Sequence, residues 1–239
     1  MLLQLDPTRF IQVYIAQGFV MVVFAFIAYK ILKRDTKRLN VIFSMIYIAN
    51  VIGTIANFIY APLSNVAVVT ILNFVTNFCA VFGLIFLVIF ELIVLKSEKV
   101  ITVGKQWIIL ILYGIASFGM FFFLLIPGAG VDLNPSTEWK PVWNLPIYIY
   151  AMIVLTIAVV PSIYLSIKIS NQFEDKKLKR KWNFFILGMI FLYFFPYAIF
   201  TSNFLNISSI RTIIGLICLV LAILGGYFIY YGVGRQIER

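Results

Sequence analysis

Seven long apolar runs separated by short polar stretches dominate the chain, at about residues 10–32, 39–61, 67–95, 107–127, 146–168, 183–205 and 212–233. Each is about as long as the ~20 residues a helix needs to cross the hydrocarbon core of a bilayer. The pattern predicts an all-α integral membrane protein, a single seven-transmembrane-helix bundle spanning residues 1–239. The first run is too long for a signal peptide and lacks a clear small-x-small cleavage site, so it is expected to remain as a helix. Little chain lies outside the runs, so no soluble domain is expected and function is placed within or beside the membrane.

The charged residues give this bundle a direction. Lys30, Lys33, Arg34, Lys37, Arg38, Lys96, Lys99, Lys105, Lys168, Lys176, Lys177, Lys179, Arg180, Lys181, Arg235 and Arg239 fall at one end, leaving only Arg9, Lys140 and Arg211 at the other. Basic residues are retained on the cytoplasmic side, which predicts an N-terminus outside the cell membrane and a C-terminus in the cytoplasm. Trp107 and Trp182 then open spans at the inner interface, and Trp139 and Trp143 lie in the outer loop before span 5. The net charge of +10 is accounted for by this asymmetry, with the lipid bilayer as its partner and no nucleic acid.

Composition narrows the chemistry. The chain is 63% hydrophobic and 12% charged and has no histidine. That excludes histidine metal or haem sites, serine–histidine and cysteine–histidine hydrolases, and an imidazole pH sensor. Cys79 and Cys218 sit in separate apolar runs and read as packing thiols. No catalytic residue, metal or cofactor is expected, and the protein is not expected to be an enzyme.

Amides inside the spans are the main candidates for binding, because a polar group facing lipid is costly. Gln17, Asn50, Asn57, Asn73, Asn77, Tyr197 and Asn203 place an outward-open, neutral ligand pocket between spans 1, 2, 3 and 6; the alternative is hydrogen-bonding between helices. Glu91, a carboxylate deep in span 3, is a candidate switch, proton site or ion-pair partner, unless it reaches the wet interface near Lys96. Pro161, Pro196 and the Gly225-Gly226 pair are candidate hinges. The outer loop 128–145 is a candidate lid. Loops 33–38 and 169–182 are candidate docking surfaces for a cytoplasmic or membrane partner, the second as a helical extension.

Spans 1–3 and 5–7 share one orientation. At an offset of 142, Thr70, Ile71, Ala80, Gly83 and Phe86 align with Thr212, Ile213, Ala222, Gly225 and Phe228, which admits a 3+1+3 pseudo-repeat. That pattern is similar to the sugar transporters built from two triple-helix bundles, although their Pro-Gln signature is missing. The seven spans, outside N-terminus, basic inner face and Phe194-Phe195-Pro196-Tyr197 run resemble the seven-transmembrane receptors and sensors: G-protein-coupled receptors, microbial rhodopsins and the seven-helix sensor regions of some histidine kinases. Span 3 lacks the Asp-Arg-Tyr element and span 7 the Asn-Pro-x-x-Tyr motif. No lysine follows Lys181, so covalent retinal is excluded. The resemblance implies a protein that binds a small neutral or lipid-like ligand and signals to a separate partner; the alternatives are a small-solute transporter or a structural subunit of a membrane complex.

Overall fold

The computed structural model describes residues 7–234. Arg235 and Arg239, two of the charges weighed above, lie outside the described residues. Seven helices long and apolar enough to cross a membrane are present: Ile11–Arg34, Arg38–Tyr60, Val66–Lys96, Val103–Leu124, Leu145–Gln172, Lys176–Leu205 and Ser208–Val233. These are spans 1 to 7. Helical structure runs beyond the apolar stretches into flanking charged residues, so the 169–182 segment shrinks to a three-residue connection, 173–175.

Side chains start several spans by binding otherwise unpaired backbone donors. Asn65 accepts from the Val68 amide, Thr102 from Lys105 and Asp175 from Lys177. Asn206 ends span 6 at φ 52°, a left-handed conformation that asparagine tolerates.

Each span packs against its sequence neighbours and span 7 returns to span 1, closing one ring. Span 3 also packs along span 5. Its mean hydropathy is the highest of the seven, and 61% of its most apolar stretch is buried against 28% for span 7. The most apolar helix therefore goes inside. Spans 3 and 7 do not occupy equivalent places, and the helices form one ring where the pseudo-repeat suggested two triplets.

Two of the closest approaches depend on glycine. A Cβ on Gly188 would lie 2.7 Å from the Ile229 nitrogen and 2.8 Å from the Gly225 oxygen, and one on Gly225 would lie 2.9 Å from the Gly188 oxygen. Carbon contacts settle near 3.5–4.0 Å, so spans 6 and 7 pack this tightly only because both positions lack side chains.

At the end of the bundle away from the basic connections, the loop between spans 4 and 5, the candidate lid, packs on the helix ends. Its strands β1 (Val131–Asp132) and β2 (Val142–Trp143) pair antiparallel, Val131 with Trp143 and Asp132 with Val142. Leu133 packs on Tyr60 and Val69, and Trp143 stacks on Phe200 with ring centroids 4.3 Å apart. Trp139, Trp143 and Trp182 are buried against the protein, and only Trp107 among the four is largely exposed. Trp182 turns inward because the carbonyl of Ser166 accepts its indole N–H at 2.9 Å.

Candidate functional site

The amides expected to line an outer pocket are largely turned to one another and to helix backbones. Asn57 donates to the Gln17 side chain, joining spans 1 and 2. Asn73 donates to the Tyr60 hydroxyl at 3.0 Å, and Asn77 donates to the Asn73 side chain at 3.0 Å and to its carbonyl. Two of these contacts tie span 1 to span 2 and span 2 to span 3 through amides that were expected to line an open pocket. Each amide needs a partner once water is excluded. Tyr197 lies apart from this layer and bonds Thr156 of span 5 at 2.7 Å, while the carbonyl of Asn203 accepts from Arg211.

Asn50 is deeper. It donates to the carbonyl of Ile46, one turn back on its own helix, and lines a small cavity with Ala80, Leu84, Leu192, Phe195 and Pro196. That cavity measures about 10 Å³, close to the room of a single water. Pro196, which has no N–H for the Leu192 carbonyl, and Leu192 itself both line this cavity with Asn50.

The lid is held from below by cations. Arg9 donates to the Glu138 carbonyl at 3.3 Å and Arg211 to the Pro141 carbonyl at 2.7 Å, tying the loop to the start of span 1 and to span 7. Glu138 points its carboxylate to Lys140, whose hydrogen bond and charge hold that carboxyl below the ordinary carboxylate range. Both Glu138 and Trp139 adopt positive φ, at 52° and 57°, so the tip of the loop is conformationally strained.

Glu91 is fully buried between spans 3, 5 and 6. Ser162 donates to one carboxyl oxygen at 2.6 Å and Ser166 donates to the other. Tyr193 donates to Ser162 at 2.5 Å, and the Ser166 carbonyl receives Trp182. No cation is paired with Glu91 among the described residues. It therefore neither reaches the interface near Lys96 nor forms an ion pair. Instead, hydroxyl groups satisfy it, and one acidic side chain connects three helices. Span 5 makes this possible by placing Ser162, Ser166 and Ser170 four residues apart on a buried face. The serines and Tyr193 were not singled out from the sequence, and Trp182 figured there only as an interfacial residue; the four-residue serine spacing was the available signal.

The network ends beside the basic end of the bundle. Trp182 stacks on Phe90 and packs on Phe185, next to the start of span 6. There Lys176, Lys177, Lys179 and Arg180 are exposed, where the helix dipole opposes positive charge. The 33–38 connection is instead folded onto the protein: Arg34 donates to the Tyr230 hydroxyl, and Arg38 donates to the Ile101 carbonyl at 2.6 Å and to Gln106 at 3.0 Å.

Pro161 and Pro196 lie inside the continuous helices of spans 5 and 6. Gly225 packs on span 6, and a Cβ on Gly226 would lie 2.9 Å from the Phe24 ring. The regular helix is interrupted elsewhere, at Gly83-Leu84 in span 3 and Gly119 in span 4. Neither a protein-family model nor a curated protein matches this sequence.

Proposed function

We propose that this is a receptor-like or sensor-like membrane protein that responds to a small neutral or lipid-like ligand and signals to a separate partner at its basic end. The carrying observation is the Glu91 network. A buried carboxylate held by hydroxyls from span 5, and through them by Tyr193 and Trp182 of span 6, is a contact whose rearrangement would reposition the helix end bearing Lys176–Lys181. Intramembrane ionisable residues are costly and tend to mark functional sites. The cations at the start of span 6 sit against the helix dipole and suit an acidic partner surface. The lysine and arginine asymmetry supports a cell-membrane orientation with the N-terminus outside. The reading is non-catalytic and involves no cofactor.

The test is purification in native nanodiscs with mass spectrometry of co-purifying proteins, comparing the wild type with a Lys176→Gln, Lys177→Gln, Lys179→Gln variant. The reading expects a stoichiometric partner that the variant loses while its thermal stability is kept. A protein that emerges alone and carries a solute across liposomes would overturn it in favour of transport. A partner retained by the variant, with the isolated chain unstable, would favour a structural subunit.

A further inference from the structure

Polar groups also face the lipid, on the outside of spans 5 and 6. A shallow groove of about 480 Å³ there is lined by Tyr148, Ile149, Met152, Ile153, Thr156 and Ile157. Its walls are hydrocarbon, but its floor is not. Thr156 is exposed, donates to the Met152 carbonyl at 2.7 Å and lies 2.7 Å from the Tyr197 hydroxyl. Threonine has one hydroxyl hydrogen, and the Met152 carbonyl takes it, so Tyr197 is the donor of that second bond. Pro161 adds to the imbalance, because it has no N–H to offer the Ile157 carbonyl four residues earlier.

The groove thus presents the Thr156 oxygen, with the Tyr197 oxygen beside it, as acceptors whose local donors are spent. In hydrocarbon such groups lack the water that would satisfy them. They lie about 18 Å along the helix from Leu145, well below the lid end, and no cation lines the groove. That depth and neutrality disfavour a charged phospholipid headgroup. They suit a small hydroxyl at the end of a hydrocarbon body, and the stretch from Tyr148 to Ile157 gives that body a track of about 14 Å.

We infer that the groove on span 5, beside Tyr197 of span 6, is a lateral binding site for a neutral, hydroxyl-bearing lipid, whose one hydroxyl hydrogen is donated to the paired Thr156 and Tyr197 oxygens, to one or the other, and whose hydrocarbon lies along Tyr148–Ile157. This deepens the receptor-like reading, on which it rests only for its signalling consequence; the site moves from the interior amide layer to the bilayer side of span 5.

The probe is a photoreactive long-chain alcohol in phosphatidylcholine nanodiscs, with the same chain ending in a methyl group as its control and labelled peptides read by mass spectrometry. The alcohol is expected to label residues 148–157 in preference to the control. That preference should fall about five- to tenfold in the Thr156→Val, Tyr197→Phe double variant, the effect of losing roughly one neutral hydrogen bond. Ile153→Trp, which fills the groove and leaves both hydroxyls in place, should abolish labelling of the segment. Equal labelling by alcohol and hydrocarbon overturns the inference, as does labelling indifferent to both variants. So does coverage of the groove by a second copy, seen as cross-links between Ile153→Cys protomers that exclude the probe. Partner capture is not read in this experiment, so its failure removes the lipid site and leaves the signalling reading to its own test.

Discussion

Glu91→Ala removes the shared acceptor of two buried serines, and its consequences follow from the geometry. The Ser162 and Ser166 hydroxyls lose the carboxyl oxygens they donate to, and a void opens beside them. Polar contacts between membrane helices average about 0.6 kcal/mol and reach about 1.7 kcal/mol. Two such bonds and a partly collapsed cavity give an expected loss of about 2–4 kcal/mol. A double-mutant cycle separates the hydrogen bond from the cavity. Glu91→Ala paired with Ser166→Ala should show a coupling of about 0.6–1.7 kcal/mol. Paired with Ser170→Ala, whose hydroxyl donates to Asn183 at 2.9 Å and does not bond Glu91, the coupling should stay within about 0.5 kcal/mol. Detergent-titrated unfolding in mixed micelles, followed by tryptophan fluorescence, reads all of these variants. Equal coupling at Ser166 and Ser170 would refute the network.

Gly188→Ala should cost about 1–3 kcal/mol by forcing spans 6 and 7 apart, whereas Gly215→Ala, whose Cβ meets nothing within 4 Å, should be neutral or mildly stabilising; paired Tm measurements check both. Trp143→Ala removes the stack on Phe200 that seats the lid and should lower stability by about 3–5 kcal/mol, with faster proteolysis within residues 128–144. Lys140→Ala should let the Glu138 carboxyl rise toward its ordinary range, read by NMR titration of labelled glutamate. Because the folded value is lowered, whatever stability the pair adds is present above the ordinary glutamate range and lost as pH falls through the lowered value.

The number of spans was legible because a bilayer imposes a length and a composition on every helix that crosses it. The ends were partly so: a helical extension was expected within 169–182, and Lys176–Lys181 continue span 6 as helix because Asp175 caps the turn, but how little unstructured connection remains was not legible. Burial was harder to read than span position. Trp182 resembles an interfacial anchor until Ser166 of span 5 is brought against it. The candidate amides were correctly singled out as unable to face lipid, but whether they line a space or fill it depends on which helices meet, and Gln17 with Asn57 fills it. Glu91 was conspicuous by its charge alone. Its partners were not, because serine and tyrosine are unremarkable in an apolar run until the fold places them around a carboxylate.

Under the proposed function, the buried contacts of Glu91 hold the basic start of span 6 against spans 3 and 5. The direct measurement is the distance distribution between spin labels at Glu98→Cys and Lys179→Cys, two exposed positions at the basic end, in a background with Cys79 and Cys218 replaced. It should be recorded in nanodiscs for the otherwise unaltered protein, for Glu91→Ala and for Ser170→Ala, whose hydroxyl bonds Asn183 and not Glu91. A shifted or second population is expected in Glu91→Ala and not in Ser170→Ala. A folded Glu91→Ala protein with an unchanged distribution rules out this role for Glu91.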